Sequence, residues 1–174
     1  MYKYLYNIDN TRRNTLDFYN NAGVLVFGSR LRRLSERFLA NVTKVYQAKG
    51  IDFDASWFPF FYLLDEHESL TLREMSETLK TSHSAVSQMM SNLERRALVE
   101  IKKDPEDKRR RNVQLTEKGK ELLAQVRPIW NGLQKAMAEI LEQDEFNAKL
   151  ISIIDNIEAT FDEEELSERI LRQL

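Results

Sequence analysis

The stretch from Leu70 to Leu123 constrains this chain more than any other. Thr71-Leu72-Arg73-Glu74 fits a capping box, in which the Thr hydroxyl bonds an early helix amide and the Glu reaches back to the cap. It opens a short helix over residues 72–80. Ser82 caps a second helix over about 83–97. Val99-Glu100-Ile101-Lys102-Lys103 and Asn112-Val113-Gln114-Leu115 read as two strands around a turn holding Asp104-Pro105-Glu106-Asp107. Thr116 then caps a long helix reaching about residue 141, with Pro128 expected to kink it because a proline lacks the amide donor and crowds the turn before it.

Projecting the second of these helices separates two faces. Val86, Met90, Leu93 and Ala97 share one and should pack inward. Ser84, Ser87, Gln88, Ser91 and Arg95 share the other. Surface helices usually carry Glu and Lys outside; here the first turns carry Ser82, His83, Ser84, Ser87 and Gln88. Short outward side chains let a helix press close to base edges, Ser can donate or accept, and Gln can pair with adenine through two hydrogen bonds. The capped N-terminus also offers free amides to a phosphate, and His83 fits a phosphate or capping role better than catalysis.

Eleven residues past Ala97 comes Lys108-Arg109-Arg110-Arg111. Four cations in a row are commonly just solvated. Between two strands, after a polar-faced helix, they read as a hairpin that follows a nucleic-acid backbone. Arg109 is the candidate for minor-groove insertion, since guanidinium sheds water readily and the groove's potential deepens where it narrows. Asp107 would orient it, and Lys108, Arg110 and Arg111 would serve phosphates. The pattern therefore predicts a winged helix that binds double-stranded DNA.

Charge distribution agrees. The 26 basic and 28 acidic residues nearly cancel, but residues 95–120 hold ten Lys/Arg against five Asp/Glu, and residues 139–168 hold eleven Asp/Glu against one Lys. A locally basic chain can bind a polyanion while the rest stays dissolved. A hydrophobic fraction of 42% supports a core. No apolar run approaches the roughly 18 to 20 residues that span a bilayer, and the first residues lack a signal-peptide pattern, so no membrane partner and a cytoplasmic location are expected. With no cysteine there is no thiolate zinc site or redox thiol.

Outside the central stretch, residues 24–48 are helical in pattern, with Leu31, Leu34, Phe38, Val42 and Val45 on one stripe and Arg30, Arg32, Arg33 and Arg37 elsewhere, solvated or ion-paired. Ser56 is expected to cap a helix over 57–67. A helix over 144–161 places Leu150, Ile153, Ile154 and Ile157 inward, and Leu166, Ile170 and Leu174 suggest a last short helix. Residues 1–20 read as an arm.

Residues 72–123 resemble the MarR family of bacterial transcriptional regulators. The likeness rests on Ser82-His83-Ser84-Ala85-Val86-Ser87-Gln88, Leu93-Glu94-Arg95-Arg96-Ala97-Leu98-Val99, Asp104-Pro105-Glu106-Asp107-Lys108-Arg109 and Leu115-Thr116-Glu117-Lys118-Gly119. The family's Asp-x-Arg wing pattern falls on Asp107 and Arg109, without the glycine many members carry near the tip. Residues 22–38 and Trp57-Phe58-Pro59-Phe60 look like a branch whose members sometimes carry an acetyltransferase domain after the regulator, a domain not expected here. The resemblance implies a mainly α fold with a small β wing: a winged helix-turn-helix lobe over 56–116, and a helical dimerisation region over 1–50 and 117–174, in one domain spanning 1–174. It implies a homodimer that represses from a palindromic operator and responds to a small aromatic or apolar effector. That effector would bind near Trp57, Phe58, Phe61, Tyr62 and Trp130. Clustered aromatics fill cores more often than pockets, so both roles stand open for them.

No glycine-rich phosphate loop, nucleophile elbow or His–carboxylate pair of catalytic spacing occurs, so neither an enzyme nor a cofactor is expected. Asp65-Glu66-His67-Glu68 lacks the second imidazole or thiol a metal site needs. The alternative function is a winged-helix module whose partner is a protein.

Overall fold

The computed structural model describes residues 18–19, 21–103 and 111–174. The expected arm over 1–20 lies almost wholly outside these, as does the wing turn with Asp107, Lys108, Arg109 and Arg110. A 3-10 turn (Gly23–Val26) leads into α1 (Phe27–Ala48). A second 3-10 turn (Ala55–Trp57) leads into α2 (Phe58–Glu66). Then come β1 (Leu70–Thr71), α3 (Leu72–Thr78), α4 (His83–Arg95), β2 (Val99–Lys103), β3 (Arg111–Leu115), α5 (Glu117–Leu141), α6 (Glu145–Ala148), α7 (Leu150–Glu163) and α8 (Leu166–Leu171). Two compact units divide inside α5, at residues 120 and 121.

In the first unit, local chemistry sets most boundaries. The Thr71 hydroxyl accepts from the Glu74 amide, and the Glu74 carboxylate accepts from the Thr71 amide at 2.7 Å, completing the capping box. Ser82 caps α4 by accepting from the Ala85 amide. Asp54, not Ser56, caps the turn before α2: its carboxylate accepts from both the amide and the hydroxyl of Ser56. An ionised carboxylate is the stronger acceptor, and it lies two residues further upstream than the serine favoured by the sequence pattern.

α3 and α4 both end in Schellman motifs. The Thr81 amide donates to the Ser76 carbonyl at 3.0 Å, with Lys80 at φ 46° in the left-handed region. The Leu98 amide donates to the Leu93 carbonyl at 3.0 Å, with Ala97 at φ 58°. Ala97 was expected on the inner face of α4; it lies past the helix end and is exposed. The reversal it makes sends Leu98 and Val99 back into the core.

The sheet has order β1-β3-β2, antiparallel throughout, with Leu70 opposite Val113 and Ile101 opposite Val113 on the other side. The two-residue β1 was not anticipated, being too short to show an alternation. Val113 and Leu115 alternate inward along β3. They join Met75, Val86, Met90 and Leu93, of which all four are 0% exposed. A second cluster is aromatic: the Phe53 ring lies 5.0 Å from Tyr46, 5.5 Å from Trp57 and 5.1 Å from Phe61.

α1 buries only Val42 and Tyr46. The rest of its predicted stripe, Leu31, Leu34, Phe38 and Val45, is exposed. Arg32 pairs with Glu36 at 2.8 Å.

In the second unit, α5 runs unbroken through Pro128. Asp144 caps α6 by accepting from the Phe146 and Asn147 amides. α7 has no buried residue, which corrects the inward placement of Leu150, Ile153, Ile154 and Ile157: the first three are 38%, 47% and 37% exposed. Amphipathic spacing fixes a shared face but not whether the chain itself covers it. Arg172 forks onto both carboxylate oxygens of Glu164 at 2.7 and 3.1 Å.

Candidate nucleic-acid interface

Three zero-exposure residues, Val86, Met90 and Leu93, seat α4 on the lobe. Their spacing rotates Ser84, Gln88, Ser91 and Arg95 to the outside, where all are exposed, with Ser87 half-buried at the margin. Ser82 and His83 are exposed at the helix start, and the Ser82 and Ser84 hydroxyls lie 3.1 Å apart. The structure thus brings six of the sequence-selected residues onto one exposed strip, with Ser87 at its margin. Its chemistry is hydroxyl, imidazole and amide for the first two turns, then a guanidinium. Arg95 Nε donates to the Ser91 carbonyl at 3.3 Å, which lays the arginine along the helix.

The wing's described part is its base. Arg111 is exposed and sits opposite Lys103 in register. Asp107, Lys108, Arg109 and Arg110 lie outside the described residues.

Sequence reading passed over a polar cluster across β2 and β3. Glu100 and Gln114 are directly opposite. Gln114 Nε2 donates to Glu100 Oε1, and Lys102 Nζ lies 2.7 Å from the same oxygen. The Lys102 hydrogen bond first, and the Gln114 one second, hold the Glu100 carboxyl below its ordinary pKa. Once the hairpin register is known, this pairing follows from the sequence; without it, Glu100 is one acid among many.

Gly119 was also given no structural role. A Cβ built there would lie 2.0 Å from the Leu98 carbonyl oxygen. The Thr116 hydroxyl accepts from the Gly119 amide at 3.0 Å and donates to the Ala97 carbonyl at 2.7 Å. Only a hydrogen at position 119 lets the start of α5 approach the strand-entry backbone this closely.

The aromatic residues expected to line an effector site separate. Trp57 and Phe61 are core, 3% and 0% exposed, with rings stacked at 6.5 Å. Neither is free to line a site in this conformation. Phe58 and Tyr62 are the partly exposed pair, ring centroids 5.6 Å apart. Trp130 belongs to the second unit and is half-buried. A groove of about 620 Å³ lies elsewhere, on α1, lined by Tyr19, Phe27, Leu31 and Leu34 with Arg30, Arg33 and Arg37. Arg33 stands 4.2 Å over the Tyr19 ring.

Among the described residues no group of three His, Cys, Asp or Glu could hold a metal ion. No described helix is long and apolar enough to cross a membrane.

The sequence model described as "MarR family" matches residues 51–110, which run from the loop before α2 into the wing. The transcriptional repressor MprA of Escherichia coli strain K12 is 29% identical over 135 residues, covering 72% of this chain and 74% of that protein. The organic hydroperoxide resistance transcriptional regulator of Bacillus subtilis strain 168 is 34% identical over 84 residues, covering 47% and 57%. Among solved structures, the crystal structure of the S. aureus MepR–DNA complex superimposes with a TM-score of 0.66 at 20% identity, over 78% of this chain and 97% of that one. That last likeness concerns the fold.

Proposed function

Because this chain belongs to the MarR family of winged-helix regulators, we propose that it is a DNA-binding transcriptional regulator whose reading element is α4. The observation that carries the proposal is the exposed strip of Ser82, His83, Ser84, Gln88, Ser91 and Arg95, with half-buried Ser87 at its margin, on a helix whose inner face closes the core. A rigid helix with short polar side chains fits a major groove about 12 Å wide. Arg111 and the neighbouring Asp107, Lys108, Arg109 and Arg110 serve the backbone and minor groove beside it. MprA is named a transcriptional repressor, which supports repression at an operator, and MepR, alike in fold, was crystallised with DNA.

One α4 spans only a few base pairs, so the regulator acts as a homodimer on a palindrome, with half-sites one helical turn apart, roughly 34 Å. The uncovered apolar faces of α1 and α7 supply the dimer surface. A small aromatic or apolar effector that weakens DNA binding fits the partly exposed Phe58 and Tyr62, and the protein works in the cytoplasm as a regulator, not an enzyme.

Selection of bound duplexes from a random pool tests the reading; a palindrome should emerge. Gln88→Ala should then cost about 1 to 3 kcal/mol on that duplex and relax choice at one position. Equal loss on random DNA would reduce Gln88 to a backbone contact. Replacing Lys108 to Arg111 by Ala should flatten the fall of affinity with salt, whose slope is about −0.9 per neutralised phosphate. A partner-binding module without DNA affinity would enrich no sequence at all.

A further inference from the structure

The recognition helix is fixed at its far end by a contact that no DNA-facing residue makes. Arg96, the C-cap of α4, places its guanidinium carbon 4.9 Å from the centre of the Trp57 ring. The same guanidinium reaches Asp52, Nη1 to Oδ2, at 3.4 Å. Its own carbonyl accepts from Lys118 Nζ at 2.9 Å. Trp57 cannot yield: it is 3% exposed and wedged between Phe53 and Phe61. Beyond Arg96 the backbone reverses at Ala97, so Arg96 is the last side chain that can hold α4 by its own length.

We propose that Arg96 is a positioning residue for the recognition helix. Its planar cation, held on the Trp57 face and by Asp52, fixes how α4 leaves the lobe, and through that the affinity of the outer strip for duplex DNA. The inference rests on the DNA-binding reading above. Arg96 sits on the residue next to Arg95, yet the two do different work: Arg95 lies along the outer strip, and Arg96 turns back onto the aromatic cluster. A flat guanidinium stacks on an indole where an ammonium does not, so lysine should substitute poorly despite equal charge.

The test uses the full chain carrying Trp130→Phe, so that Trp57 alone emits, and the duplex enriched from a random pool by the wild-type chain. Binding is measured over a range of salt concentrations. Arg96→Ala should bind about fivefold more weakly, with the salt slope unchanged and the Trp57 emission shifted. Arg96→Lys, which retains the charge and the alkyl stem, should fold normally and still bind two- to threefold more weakly, again at unchanged slope. Three results would overturn the proposal: wild-type affinity in both variants, a slope reduced by about one, which marks a direct phosphate contact, or an unmoved Trp57 emission. If the wild-type chain enriches no duplex, the DNA reading itself fails. If it enriches one that both variants bind equally well, only the role of Arg96 fails.

Discussion

α4 and α7 are of nearly equal length, 13 and 14 residues, and both repeat apolar residues at three- and four-residue steps. In α4 the apolar residues Val86, Met90 and Leu93 are 0% exposed. In α7 none is buried, and Ile151 and Ile153 stand 56% and 47% exposed. The lobe around α4 closes its core with the three-stranded sheet and the neighbouring α3. α7 presents an exposed apolar face, and on the outer half of α1 Leu31, Leu34 and Phe38 are likewise exposed. Contiguous apolar surface of this kind marks an interaction site. One region is therefore built for internal stability, the other serves association in the function proposed above, and substitutions should sort accordingly.

The largest effect should come from the lobe's aromatic core. Phe61 is fully buried and touches both Phe53 and Trp57. Phe61→Ala leaves a cavity that these rings cannot collapse into, at a cost of about 4 kcal/mol. Urea unfolding should show that loss equally at every protein concentration. A loss that vanished at high concentration would mean the lobe, too, depends on association.

Gly119→Ala comes next, at about 2 to 3 kcal/mol, because the new methyl would meet the Leu98 carbonyl oxygen and backbone must shift to admit it. The damage should reach the reading head: Leu98 directly follows the reversal at the end of α4. Heteronuclear NMR should place the shift changes at residues 93–99 and 113–119. Changes confined to the substituted turn would show the close approach to be slack.

The association surface gives the third effect. Ile153→Asp adds a charge to a face that must be desolvated on pairing. It should weaken self-association about 30-fold, roughly 2 kcal/mol, by sedimentation equilibrium. The lobe's near-ultraviolet circular dichroism should not change. If the variant unfolds the lobe instead, α7 is core after all.

Much of this division was legible in the sequence, and the part that was not has definite causes. Capping chemistry is local, so Thr71, Ser82 and Thr116 announced their helices correctly. The outer strip of α4 followed from helical periodicity alone. Asp54 was missed because two cap-forming residues two positions apart compete, and charge decides between them. Leu150, Ile153 and Ile154 were placed inward because periodicity reports a shared face and is silent on what covers it. For Trp57 and Phe61 the sequence leaves core and pocket lining both open, because composition cannot tell a packed ring from an open one. Their neighbour Phe53, which organises the cluster, stands apart from the aromatic run and drew no notice.

The smallest effect sharpens the boundary between α4 and the wing. Ala97 holds φ 58°, where its Cβ crowds the following carbonyl at a cost of about 1 to 2 kcal/mol. Glycine would relieve that crowding, and would also loosen the unfolded chain, which returns about 0.4 to 1 kcal/mol of the gain. Ala97→Gly should therefore stabilise the lobe by about 0.5 to 1 kcal/mol, read as a higher urea midpoint at unchanged slope. Lys80, at φ 46° in the matching position of α3, gives an internal control: its glycine variant should gain a similar amount, and the two gains should add. If Ala97→Gly destabilises while Lys80→Gly does not, the alanine methyl makes a packing contact that outweighs its strain. The Leu93–Leu98 contact across that turn would then be the place to look.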